Sequence, residues 1–146
     1  MYRALELAKH IINQSIENHS PVTNLQVQNI LYAVQKDCLK HDDIAFTDRF
    51  EAWYSGPVIP DVYYSLGIYG GAPILWEQET EKEIDPATRE RIRRAILENS
   101  EIPFFRQGSE AYRKNSAWAK VWIDGAGREQ EIPIEMIQEE IKGRFL

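Results

Sequence analysis

The amino-acid sequence predicts a mainly α fold, one domain over residues 1–146, built around a central buried helix at about residues 24–39 with room for a small β element. Three observations predict it. Residues 2–18 alternate with a helical period, residues 24–39 are apolar on most sides, and amphipathic runs open at Asp85-Pro86 and at Pro133. Hydrophobic residues make up 43% of the 146 positions and aromatics 11%, enough to build a core.

Each element has its own local reason. At about 100° per residue, Ala4, Leu5, Leu7, Ala8, Ile11, Ile12 and Ile16 share one half of a helical wheel. Arg3, Glu6, Lys9, His10, Asn13, Gln14 and Glu17 share the other, which makes His10 an expected solvent residue. Pro21 ends that helix by removing an N–H and pushing Ser20 out of the α region. Thr23 and Gln26 have capping-box spacing and open the second helix, Asn24 to about Leu39. Val27, Ile30, Leu31, Val34 and Cys38 form one apolar face of it, and Leu25, Tyr32 and Leu39 a second. Two such faces predict cover from two directions.

Residues 44–64 are dense in aromatics around the turn signal Ser55-Gly56-Pro57, and a helix is expected from about Pro60. Ile74 to Glu79 reads as a short edge strand whose alternating glutamates keep the edge soluble. Asp85 caps and Pro86 opens a helix running to about Asn99. A helical segment is expected at Glu110–Trp118, a small hairpin over 121–132 turning at Asp124-Gly125, and a last helix from Pro133 carrying Ile134, Ile137, Ile141 and Phe145.

The residues that carry chemistry are sparse. His10, His19, His41 and Cys38 have no metal-ligand spacing, and Cys38 lies on an apolar helical face, where an inert thiol is expected. The acid pairs Asp42-Asp43 and Glu139-Glu140 point in different directions on their backbones, and Gly125-Ala126-Gly127 lacks the third glycine and the helix of a phosphate cradle. Neither a catalytic, a metal nor a cofactor site is therefore expected. With 17 Lys+Arg against 23 Asp+Glu the net charge is −6, which argues against a protein devoted to phosphate backbones. The basic residues concentrate at Arg89, Arg91, Arg93 and Arg94, read as a solvated face with Asp85–Arg89 and Glu90–Arg94 pairs. The absence of an apolar run of membrane-spanning length, the lone Cys38 and an N-terminus unlike a signal peptide lead to a cytoplasmic expectation without membrane partners.

One segment stands out: Phe50-Glu51-Ala52-Trp53-Tyr54-Ser55-Gly56-Pro57-Val58-Ile59-Pro60. Core and turn demands account for it, and so does a rigid aromatic surface that anchors a partner. Glu51-Ala52-Trp53, Gly56-Pro57-Val58, Pro60 and Val62-Tyr63 resemble the E-A-W-x-x-G-P-V-x-P-x-V-Y signature of the Panacea domain family. Thr23 to Tyr32 is similar to that family's T-x-L-x-L-Q-K-L-L-Y helix, and Tyr69-Gly70 with Ile74 to its Y-G-x-x-x-I continuation. The resemblance covers about residues 23–75. The chain departs from the pattern at Asn29 and Lys36, and Asn115-Ser116-Ala117 precedes Trp118 where a Thr-His pair is common, so no histidine role carries over.

The resemblance implies a non-enzymatic, SocA-like antitoxin or phage-associated protein that binds and neutralises a cognate toxin by direct contact. Some members are similar to adaptors that deliver a toxin to a protease. Glu51, Ala52, Trp53, Gly56, Pro57, Val58 and Tyr63 are then the signature positions. Trp53 is expected in the core, and Tyr54 and Tyr64 are expected to face the partner. The alternative is a phage or prophage protein, or a proteolysis adaptor, with another protein partner; nucleic-acid binding through the arginine helix ranks below both.

Overall fold

A computed structural model of the chain describes residues 1–103, 106 and 113–146. Among the described residues the fold is mainly α. Helix α1 spans Ala4–Glu17, α2 Asn24–Lys40, α3 Pro60–Ser65, α4 Pro86–Ser100, α5 Ala117–Trp122 and α6 Ile134–Ile141. Two short strands, β1 (Glu51–Trp53) and β2 (Gly56–Val58), pair antiparallel in the register Glu51–Val58, Ala52–Pro57 and Trp53–Gly56.

The long helices begin where their caps predict. Thr23 Oγ1 accepts the Gln26 N–H (3.2 Å) while Gln26 Oε1 accepts the Thr23 N–H (2.9 Å), the reciprocal pair that the spacing predicts. Asp85 Oδ1 accepts the Thr88 N–H (2.8 Å) at the start of α4. In α1 the first turn is capped from a distance: Asp48 Oδ1 accepts the Ala4 N–H (2.9 Å).

α2 contacts α1, α3, α4, α6 and β2, and buries Val27, Ile30, Leu31 and Val34 completely. Leu7, Ala8, Ile11 and Ile12 of α1 and Ile92 of α4 are equally buried, so the main core lies among these three helices. Of the second apolar face expected on α2, Tyr32 and Leu39 are buried, while Leu25 is 45% exposed. That side of the helix is also used by amides. Gln28 and Gln35, two turns apart, are both buried and turn their side chains to the backbone of extended segments.

Other expectations give way to the tertiary structure. Residues 74–79 form no strand; residues 72–85 run antiparallel to α1 as a strap. Ile74 N–H donates to Val22 O (2.8 Å), Gln78 exchanges two bonds with the Asn13 amide (2.7 and 2.9 Å), and His10 Nε2–H donates to Lys82 O (2.8 Å). At its end the Tyr2 hydroxyl donates to Asp85 Oδ2 (2.6 Å). His10 is therefore buried, not solvated, because the strap covers the face of α1 that the wheel assigns to water.

The hairpin expected over 121–132 is also absent. Residues 117–122 are helical, capped by Ser116 Oγ on the Ala119 N–H (3.3 Å), and a left-handed Ile123-Asp124 pair (φ 44° and 52°) ends the run. Residues 130–132 do extend, but together with the turn residue Glu129 they pair with 50–52: Glu129 N–H donates to Ala52 O (2.7 Å), Ala52 N–H to Gln130 O (2.9 Å) and Ile132 N–H to Phe50 O (2.8 Å). Of the helical segment expected at Glu110–Trp118, residues 110–112 lie outside the described residues; residues 114–116 form a turn and a bend instead, and only Ala117-Trp118 belong to a described helix, the start of α5.

Candidate functional site

The aromatic Gly-Pro segment becomes the β1–β2 hairpin and the α3 turn that follows it, and its two sides do different work. Its inner side is fixed by buried polar groups. Gln28 Oε1 of α2 accepts the Ile59 N–H (2.9 Å), a donor at the α3 N-cap that no side chain of its own segment satisfies. Asn24 Nδ2 donates to Tyr63 O (3.0 Å), and Gln28 Nε2 donates to Asn24 Oδ1 (3.3 Å), so the two amides form one buried pair holding both ends of the segment. Gln35 does the same for the stretch before the hairpin, accepting from Ala45 N–H (2.9 Å) and donating to Phe46 O (2.9 Å).

The signature positions divide accordingly. Ala52, Gly56, Pro57 and Val58 are buried. Gly56 has φ +124°, and a Cβ there would lie 2.6 Å from the Arg113 guanidinium carbon, so conformation and space both demand glycine. Arg113 Nη2 in turn donates to Asn29 Oδ1 (2.5 Å). Glu51 Oε1 accepts the Trp53 indole N–H (3.0 Å). Trp53 is half-buried rather than a core residue; the tryptophans in the core are Trp118 and Trp122, and the Trp118 indole N–H donates to Trp53 O (2.7 Å). The hairpin strand is too short to bury a ring on both faces, so Trp53 contributes its carbonyl to the interior and leaves its ring at the rim.

The outer side presents rings. Tyr54 is 75% exposed and Tyr64 69%. The Trp53 ring meets the edge of Tyr63 at 5.0 Å between centroids, and Tyr64 packs at 5.6 Å from Tyr63. Tyr54 stands edge-on to Trp122 (6.2 Å), which stacks on Trp118 (5.5 Å). Two exposed tyrosines, Tyr54 at the hairpin turn and Tyr64 on α3, are thus backed by half-buried and buried aromatics of the hairpin, α3 and α5. Such preorganised rings lose little entropy when covered by a partner.

The arginines of α4 are all matched to acids. Arg91 Nε and Arg94 Nη2 share Asp37 Oδ2 (3.3 and 3.1 Å), Arg93 pairs with Glu90, and Arg89 lies 3.9 Å from Glu83. The expected Asp85–Arg89 and Glu90–Arg94 pairs do not form, because Asp85 serves the helix cap and Tyr2, and Glu90 takes Arg93 one residue closer. Cys38 is buried, and burial pushes its thiol pKa up, away from a nucleophile's range. Among the described residues no group of His, Cys, Asp and Glu is placed to hold a metal ion, and no helix is long and apolar enough to cross a membrane.

Sequence reasoning missed Asn24, Gln28, Gln35 and Arg113. The signal for the glutamines was present: Gln28 and Gln35 lie on the same stripe as Leu25, Tyr32 and Leu39, and a polar residue on an apolar stripe needs a buried partner. Arg113 had no comparable signal, since its role depends on where residue 56 falls in space. No protein-family model, curated protein or solved structure matches this chain.

Proposed function

We propose that this chain is an antitoxin-like binding protein of the cytoplasm, a single domain with α2 as its central helix, that neutralises a cognate toxin by direct contact. The reading rests on the resemblance of residues 23–75 to the Panacea signature. One structural observation supports it most: the exposed tyrosines Tyr54, at the turn of a hairpin held by buried amides, and Tyr64 of α3, backed by Trp53, Tyr63 and Trp122. Tyrosine is enriched among the residues that dominate interface energetics, because its ring has large area and few rotatable bonds. No catalytic step and no cofactor enters this reading. Binding along duplex phosphates is disfavoured by the net charge of −6, which repels an extended polyanion.

Co-expression tests the biology: the neighbouring open reading frame should be toxic alone and harmless together with this chain. If it is not toxic, a phage-associated or proteolysis-adaptor role with another protein partner replaces the antitoxin reading. Calorimetric titration tests the surface. Tyr54→Ala with Tyr64→Ala should leave circular dichroism and melting nearly unchanged and weaken partner binding at least about tenfold, some 1.4 kcal/mol. Full affinity in the folded double variant would place the contact face elsewhere.

A further inference from the structure

The surface also holds a concave feature whose charge runs against that of the chain. A cleft of about 320 Å³ opens between α2 and α4, closed at one end by the segment before α5 and by Glu140 of α6. The protein carries −6 overall, yet among the described residues Lys36, Lys40, Arg91, Arg94 and Arg113 line this cleft against the three acids Asp37, Glu98 and Glu140. Two of the acids already have their donors. Glu140 accepts from the Tyr32 hydroxyl (2.6 Å), Lys36 Nζ (3.1 Å) and the Ala117 N–H (2.8 Å). Asp37 takes Arg91 and Arg94 on a single oxygen.

A guanidinium has about five N–H donors and an ammonium about three, so one bond each to a carboxylate leaves most of the donor capacity of Lys36 and Arg94 in hand. Donors on two helices approach from different directions. That arrangement suits tetrahedral phosphate oxygens better than the flat fork of a carboxylate, which a single arginine satisfies. Concave walls concentrate the field of the cations. The volume is at the small end of ligand pockets, which run from about 300 to 1,000 Å³.

We propose that this cleft binds a small phosphate-bearing anion, with Lys36, Lys40 and Arg94 reaching it from the rim and Arg91 and Arg113 supplying positive charge behind. The proposal concerns the chain alone and does not depend on the toxin-binding reading.

Titration of inorganic pyrophosphate into the purified chain at low ionic strength, followed by calorimetry and thermal unfolding, tests it. One saturable site and a rise in melting temperature are expected. Lys40→Gln with Arg94→Gln, which leaves Asp37 paired with Arg91, should weaken binding at least about tenfold. Arg3→Gln with Arg128→Gln, the same loss of charge at exposed positions outside the cleft, should leave it unchanged. Absence of a saturable site at millimolar pyrophosphate overturns the proposal, and so does equal weakening in both double variants, which would mean general charge attraction. Succinate binding as tightly as pyrophosphate would overturn phosphate as the ligand class.

Discussion

The hairpin segment 50–59 and the strap 72–85 are both non-helical stretches laid against helices, and they are held in opposite ways. The hairpin is tied from inside, by backbone pairing to residues 129–132, the buried Gln28 amide and the Trp118 indole. The strap is tied from its margin. Ile74 and Ile84 are its buried apolar anchors, and between them half-exposed Asn13 and buried His10 bond to its backbone while Trp76 and the glutamates face out. A hydrogen bond exchanged with water at little cost stabilises weakly, whereas a buried donor left without its acceptor costs its full desolvation. The two segments should therefore differ in how much they resist substitution, even though both are short on regular structure.

The largest effect should fall on the hairpin's buried support. Trp118→Ala removes a ring that is almost wholly buried and should cost about 3–5 kcal/mol. Trp53→Ala, at the half-buried rim, should cost roughly 1–2 kcal/mol. Urea unfolding of the two variants gives the comparison directly, and equal losses would erase the distinction between core and rim tryptophan. Next comes Gly56→Val, expected to lose about 3 kcal/mol from the positive φ and the collision with Arg113 together. An unchanged melting temperature would mean that Arg113 moves away freely and that the turn is ordinary.

Gln28→Leu keeps the volume but leaves the Ile59 N–H without its acceptor, for a loss of about 1–3 kcal/mol. Hydrogen exchange should show the Ile59 amide losing protection in that variant, with the strap amide of Gln78 unaffected. Uniform loss across both segments would show them to be one cooperative unit.

The smallest effect belongs to the end of the strap. The Tyr2 hydroxyl, and after it the Thr88 N–H, hold the Asp85 carboxyl well below the usual carboxylate range. A depressed folded-state pKa adds stability above the unfolded value of about 3.9 and loses it as pH falls through the folded value. The stability difference between the wild type and Tyr2→Phe should thus be largest near neutral pH and shrink below about pH 4. Asp85 is exposed, so the difference is small, and melting curves at several pH values should resolve it. A gap that widens in acid would assign the bond a different role.

What the sequence by itself determined is the part governed by neighbours along the chain. The Thr23–Gln26 box, Asp85-Pro86 and Pro133 set helix starts through local dihedrals and caps, and the apolar stripes of α1, α4 and α6 chose their inward faces, while α1 stops at Glu17 through a left-handed His19, ahead of Pro21. The Gly56 turn was legible for the same reason. Only the tertiary structure decided what covers those faces. The wheel of α1 sends His10 to water, but a strap more than sixty residues downstream lies over it. The stretch 129–132 reads as half of a local hairpin, yet its backbone groups find partners at 50–52. Trp53 and Trp118 are equally large on paper, and which one reaches the interior depends on a strand three residues long pairing with another. Backbone donors and acceptors must be satisfied wherever they are buried, and the chain meets that demand with groups distant in sequence, which local periodicity does not register.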